Sequence, residues 1–303
     1  MSGVITTGAH PKGLWPGVHE FWGRKYKEWN EEYSTLFDMT GSKKKYEDTV
    51  ELTGFGLAPV KGEGSSTSYD SETQGVVNRF TNVAYSLGYI VTREEKDDML
   101  YDAISKQRAG ALSRSMRITK EIVAANVYNR GFNPSYTFGD GVELLSTAHV
   151  TVNGTQSNEL AIAADLSEAS LEDLCIQIMN AKNSRGLDIR LMPQQLRIPT
   201  NLAFDAERIL KSTLQNDTAN NAVNALKSKG MLPGGIFVSH YFTDTDAWFV
   251  STDAPAGMTG FNRVGIEFTQ DNDFDTENAK AKCYERYVFG CSDWRSLYGS
   301  PGA

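Results

Sequence analysis

The run Asp271-Asn272-Asp273-Phe274-Asp275 sets three carboxylates at alternate positions, the spacing of the first three ligands of an EF-hand calcium loop. Such a loop needs glycine at its sixth position for a sharp turn and a glutamate at its twelfth that binds through both oxygens. Here those positions are Thr276 and Lys282. The run therefore reads as a solvated acidic turn, and no metal is expected there. The four histidines, His10, His19, His149 and His240, are scattered, and none stands in an H-E-x-x-H or comparable spacing. The three cysteines, Cys175, Cys283 and Cys291, form an odd set without a C-x-x-C pair, which argues against a disulfide framework or thiolate metal site and fits a reducing compartment.

Other chemistries fail on the same kind of inspection. There is no G-x-x-x-x-G-K-[ST] run to cradle phosphates and no G-x-S-x-G to present a nucleophile. Gly54-Phe55-Gly56 and Gly62-Glu63-Gly64 do not lead into helices and read as loop glycines. Asn153-Gly154-Thr155 and Asn216-Asp217-Thr218 match the glycosylation triplet, but the N-terminus has no apolar signal core, so both read as chance. No catalytic, cofactor-binding or metal-binding residue is expected, and the chain is not expected to be an enzyme.

If the chain does no chemistry, its elements must do mechanical work. At 303 residues it exceeds a typical single domain, so two substructures, or one core with long extensions, are expected. Its apolar share is 40%, enough for a sizeable core, and no stretch approaches the length of a membrane span. The net charge of −8 opposes counterion-driven attraction to nucleic acid, which excludes sequence-specific DNA binding. An acidic wall around packaged DNA is compatible with it, since DNA would enter and leave without sticking.

Residues 1–16 lack periodicity and read as an extended arm. Val18, Trp22, Tyr26, Trp29, Tyr33 and Phe37 then recur every three or four residues, the spacing of one helix face. Three readings are open for this stripe: packing into the domain's own core, docking on a neighbouring subunit, and a membrane-surface helix, which the mixed acidic and basic polar face disfavours. Residues 43–91 read as a two-stranded excursion, with strands at Thr49–Thr53 and Val83–Val91 and a Gly/Ser-rich tip at 62–68. Such a ribbon is marginal in water and needs something to lie on. Residues 93–129 carry the longest helical signal, with Leu100, Ile104, Ala111, Ile118 and Ile122 on one stripe. From 171 onward, helices at 171–184 and 204–210 alternate with strands near Leu196, Ile236 and Ala247–Val250. Asn216–Asn224 reads as an exposed loop. Strands return at 265–269 and 280–289.

This order, arm, ribbon, long helix, mixed domain and returning strands, resembles the major capsid proteins of tailed bacteriophages with the Hong Kong 97-type fold, and looks closest to Mu-like major head subunits. Local strings carry the resemblance. Asp140-Gly141, Leu144-Leu145-Ser146, His149 and Asn158 are similar to the segment after the family's spine helix. So are Gln195-Leu196-Arg197-Ile198-Pro199 with Phe204, Ala206 and Ile209-Leu210, then Asp244–Val250 with Trp248, and the close from Tyr287 to Arg295. The resemblance implies an α+β fold: an N-terminal arm with amphipathic helix (1–42), an E-loop hairpin (43–91), a P-domain beginning with the spine helix (92–168), an A-domain (169–257) and returning P-domain strands (258–303). It also implies self-association into pentamers and hexamers that enclose double-stranded DNA, assembly in the host cytoplasm, and a place in the virion. Scaffold, portal and decoration proteins are the other implied partners. Trp22, Tyr26, Trp29, Tyr33 and Phe37 are the candidate subunit-interface residues. No cofactor is implied. Some relatives crosslink Lys to Asn, but Lys61 near the ribbon tip has no identifiable acceptor, so no crosslink is expected. The alternatives are an encapsulin-type nanocompartment shell and, from another class, a cytosolic hydrolase or sugar-binding protein.

Overall fold

The computed structural model describes residues 15–98, 101–215, 222–273 and 275–303, leaving the side chains of 15–19, 21, 96, 97 and 101–105 aside. The helices are α1 (Trp15–Tyr26), α2 (Tyr33–Leu36), α3 (Arg93–Asp97), α4 (Tyr101–Asn129), α5 (Glu168–Met179), α6 (Ala203–Lys211) and α7 (Ala225–Lys229). The strands are β1 (Asp38–Gly41), β2 (Tyr46–Leu52), β3 (Gln74–Thr81), β4 (Val83–Val91), β5 (His149–Thr151), β6 (Gly154–Gln156), β7 (Pro193–Pro199), β8 (Ile236–Ser239), β9 (Trp248–Thr252), β10 (Met258–Asn272), β11 (Ala279–Cys291) and β12 (Leu297–Ser300).

Two four-stranded sheets organise them. The first runs β1-β10-β11-β4, with β1 parallel to β10 and the other pairs antiparallel. Strand β11 alternates strictly: Ala279, Ala281, Cys283, Glu285, Tyr287, Phe289 and Cys291 face inward, the period-two pattern of a sheet covered on one side. The cover is α4, 29 residues and about 43 Å long at 1.5 Å per residue. The second sheet runs β12-β9-β7-β8 and buries Leu196, Ile198, Trp248, Val250 and Tyr298 against α5 and α6. Helix α5 starts on a capping box in which Ser167 and Ser170 each accept the other's backbone N–H, satisfying donors that the first turn leaves open.

The structure departs from the sequence reading in three places. The stripe at 18–37 is not one helix: α1 ends at Tyr26, residues 27–32 cross over, and α2 begins at Tyr33. The ribbon pairs β2 with β3, while β4 leaves it and pairs with β11 in the first sheet. The alternation at 83–91 identified a strand, but a free ribbon and a sheet member share the same period. Finally, α4 turns the opposite face inward. Leu112, Met116, Ala124 and Tyr128 are buried, whereas Ile118 and Ile122 are 38% and 44% exposed. Leu100 lies outside the described residues, as do Asn216–Asn221.

The buried face of α4 is disguised because it also carries Arg117, Lys120 and Glu121. Each is neutralised by a specific partner. Arg117 Nη1 donates to Glu31 at 2.7 Å, and its Nε lies 3.3 Å from Glu121. Lys120 pairs with Glu285 of β11, between the rings of Tyr33 and Tyr287. Glu121 accepts the backbone N–H groups of Glu32 and Tyr33, capping the start of α2.

Candidate assembly surfaces and the joint that positions them

The family-like strings at 140–158 and 287–295, far apart in sequence, meet at one buried joint. His149, at the start of β5, sets Nδ1 2.6 Å from Asp140 Oδ2 and Nε2 3.0 Å from Asn158 Oδ1. Its ring lies flat on Trp294, centroids 4.4 Å apart and planes within 1°. Asn158 Nδ2 donates to the carbonyls of Leu144, Trp294 and Leu297, and its Oδ1 accepts the N–H of Ser146. One side chain thus satisfies backbone groups of the loop after α4 and of the turn into β12. Left unpaired in a buried setting, such groups are costly.

Arg295, next to Trp294, extends the joint to the ribbon. Its guanidinium sits over the Trp294 ring and donates to the Lys182 carbonyl at 2.9 Å, to Ser184 Oγ at 3.1 Å and to Glu51 of β2 at 3.1 Å. Ser184 also donates to Glu51. One step outward, Arg185 Nη1 donates to the Gly54 carbonyl at 3.0 Å and to Asp70 at 2.7 Å. The backbone N–H groups of Gly56 and Ser71 and the Arg185 guanidinium hold the Asp70 carboxyl low, at about 2. The sequence reading missed Ser184 and Arg185; the turn residues Asn183 and Gly186 around them were the available signal.

Beyond this root the ribbon has little of its own to pack on. Residues 53–73 form no helix or strand, and Phe55, Leu57, Val60 and Tyr69 are exposed. On α4, Ile118 and Ile122 leave a second apolar strip in water. Beside it Val77, Val83, Tyr85, Val127, Tyr136 and Phe138 wall an open groove of about 430 Å³.

The five candidate interface residues divide. Trp22 and Tyr26 are buried and stacked, centroids 5.5 Å apart, and Trp22 also stacks on Phe268 of β10. Tyr33 and Phe37 are buried against Phe289. Trp29, in the crossover between α1 and α2, is 39% exposed.

As for the residues first inspected for chemistry, Asp271, Asp273 and Asp275 lie at the β10–β11 turn, where Lys280 pairs with Asp273 and lowers its carboxyl. His240 Nδ1 lies 2.6 Å from Glu32. His10 is outside the described residues. The three cysteines are buried and free, and burial pushes each thiol up to about 12. Among the described residues no group of three or more His, Cys, Asp or Glu could hold a metal ion, and no helix is long and apolar enough to cross a membrane.

A family model described as phage capsid protein matches residues 80–300, which span the joint, α4, the second sheet and every strand of the first but β1. The chain belongs to this phage capsid protein family. No curated protein matches its sequence. Solved structures resemble the capsid protein over nearly their whole length. That of a virus-like particle from Pyrococcus furiosus is 11% identical with a TM-score of 0.53, covering 94% of this chain and 98% of the other. The capsid of an empty GTA particle, computed with C5 symmetry, is 11% identical at 0.52, covering 89% of each. The capsid of Myoviridae phage XM1 is 12% identical at 0.50, covering 100% of each. At such identities the likeness shows the fold, which is the α+β Hong Kong 97-type fold.

Proposed function

We propose that this capsid protein is a non-catalytic shell subunit that self-associates into pentamers and hexamers and closes an icosahedral shell around double-stranded DNA. Assembly takes place in the host cytoplasm and the product is the virion capsid, with scaffold, portal and decoration proteins as further partners. One observation carries the reading beyond family membership: the apolar side chains of the 53–73 segment, Phe55, Leu57, Val60 and Tyr69, find no cover in their own subunit. A contiguous exposed apolar surface marks a contact with another molecule, and closed symmetry satisfies repeated self-contacts. The ribbon of one subunit lies on the α4 strip and groove of the next. That pairing sets apolar against apolar: Phe55, Leu57, Val60 and Tyr69 of the ribbon against Ile118, Ile122 and the groove beside them. The likeness to a GTA capsid computed with C5 symmetry fits a fivefold unit. Of the stripe, Trp29 is the residue placed to join a neighbour, while Trp22, Tyr26, Tyr33 and Phe37 shape the surface from within.

Electron microscopy of the purified protein tests the reading: hollow shells or ring-shaped capsomers are expected. A monodisperse, well-folded monomer at high concentration, under varied salt and with a scaffold supplied, would overturn it. A nanocompartment shell is the second reading, supported by the likeness to the Pyrococcus furiosus virus-like particle. Native particles that hold DNA favour the capsid, and particles that hold enzyme cargo favour the compartment.

A further inference from the structure

Among the described residues β2 and β3 pair with each other, and Asn78, bonded to Ser292 and Gly139, and Phe80, packed on Phe261, seat β3 on the body; the direction of the 53–73 segment beyond them needs a cause of its own. Two tiers of contact occur at the root. The inner tier is half-buried: Glu51 of β2 receives the buried Arg295 and Ser184, and Gly75, opposite on β3, would bring a Cβ within 3.1 Å of the Glu51 carboxylate, so a larger residue would crowd it. The outer tier is Arg185, which spans both arms of the ribbon at once by donating to the Gly54 carbonyl on one side and to Asp70 on the other. Gly56 N–H donates to the same Asp70 carboxylate at 2.7 Å. Between the tiers Thr53 and Thr73 hydrogen-bond across the ribbon.

The turn that carries Ser184 and Arg185 is built to hold still. Asn183 Oδ1 accepts the N–H groups of Arg185 and Leu187, the Asn183 N–H donates to the Leu187 carbonyl, and Gly186 N–H donates to the Asn183 carbonyl. Gly186 has φ +81 and its Cα faces Asn153 Nδ2 so closely that a Cβ would lie 1.9 Å from it. The positive φ and the nearness of Asn153 both favour glycine at this site. A cation on a fixed turn, gripping both arms where the 53–73 segment leaves the seated strands, has a task other than core stability. Its guanidinium is partly solvated, with 28% of the side chain exposed.

We infer that Arg185 is the positioning residue of the ribbon: with Asp70 it clasps the two arms and sets the direction in which the 53–73 segment projects, before any neighbour is met. An ordered projection lowers the entropy lost when the ribbon docks, so the clasp favours one docking geometry over others. In the shell, which rests on the capsid reading above, this geometry becomes the uniformity of the particles. Weakening the clasp leaves the subunit folded, because the inner tier and both cores are untouched.

The test places spin labels on cysteines introduced at Val60 and Phe204, both exposed, in subunits kept unassembled, and reads the distance distribution between them by pulsed electron resonance. The native cysteines are buried and do not take label. Arg185→Ala is expected to broaden the distribution about twofold with the melting temperature unchanged, since segments held by few contacts open locally without global unfolding. Asp70→Ala is expected to broaden the distribution as Arg185→Ala does, and the two changes together no further, a non-additivity that a purely steric role for Arg185 would not produce. Arg185→Gln keeps most of the side-chain volume and serves if the alanine variant folds poorly. An equal width in wild type and Arg185→Gln, or a wild type already broad, overturns the inference. The same proteins are then assembled: mixed particle diameters are expected for Arg185→Ala and uniform ones for wild type. A wild type with a narrow distribution that forms no shells would sink the capsid reading and leave the clasp standing.

Discussion

His149 and Trp294 stack face to face, centroids 4.4 Å apart, and this contact joins the loop that follows the long helix to the turn that enters the last strand. Beside it Asn158 binds four backbone groups at once. Asn158→Leu should therefore lower subunit stability by about 3–5 kcal/mol, the sum of several buried groups left unpaired. Urea denaturation of unassembled subunits measures it; a loss below about 1 kcal/mol, the value of one ordinary hydrogen bond, would mean that water replaces the amide.

The aromatic stripe separates into two experiments. Trp22→Ala removes a ring stacked on Tyr26 and Phe268 in the core, and should cost about 3–5 kcal/mol of subunit stability. Trp29→Ala, at an exposed crossover, should leave melting nearly unchanged and reduce shell yield. Equal effects of the two changes on melting would place Trp29 in the core as well.

Ile118 and Ile122 supply a second assembly test. Replacing both with Asp should alter subunit stability by no more than about 0.5 kcal/mol each, as for ordinary surface positions. Sedimentation should nevertheless show subunits in place of shells. Shells of normal yield would remove the α4 strip from the interface.

The Lys120–Glu285 pair is buried on both sides, and burial pushes the Glu285 carboxyl upward. Lys120→Met alone strands the carboxylate and should cost about 3–5 kcal/mol. Adding Glu285→Leu should recover most of that loss, because the surrounding Tyr33 and Tyr287 rings accept apolar groups. A double variant as unstable as the single one would mean that Arg117, left beside Glu31 and Glu121, depends on Glu285 too.

The ribbon clasp has an acid limit. The Asp70 carboxyl is held at about 2, below its ordinary value of 3.8, by Gly56 N–H, Arg185 and Ser71 N–H. A carboxyl lowered in the folded state stabilises fully above its ordinary value and loses that contribution as pH falls toward its folded value. The distance distribution from the ribbon label should hold its width down to about pH 4 and broaden between about pH 4 and pH 2. Asp70→Asn should be broad throughout; a wild-type width that tracks Asp70→Asn at pH 7 would disconnect the carboxylate from ribbon order.

The sequence made the order of elements legible because long periodic segments and turn residues report local geometry. The helices at 168–179 and 203–211 and the strands β7, β9, β10 and β11 fall close to where their patterns put them. What was not legible depends on partners distant in sequence. The inward face of α4 carries Arg117, Lys120 and Glu121, and nothing local indicates that Glu31 and Glu285 will neutralise two of them. The hydrophobic pattern then favours the isoleucine face, which is the exposed one. In the same way β3 (Gln74–Thr81) is too polar to outrank β4 as the ribbon's return strand, although it pairs with β2 from Tyr46 to Leu52. Family-like strings marked Asp140, His149, Asn158 and Trp294, but only the structure brings them together.

The first sheet sets β1, near residue 40, beside β10, near residue 260, and closes β4 with β11. On the ribosome this order has a consequence in time. The ribbon and α4 emerge well before β10 and β11, whose Glu285 neutralises Lys120 on α4's inner face. A nascent chain holds the ribbon and α4 without the platform that orients them, since domains fold as units and long-range pairing waits for both partners. On the proposed assembly, the growing chain would not join its neighbours until β10 and β11 have been made.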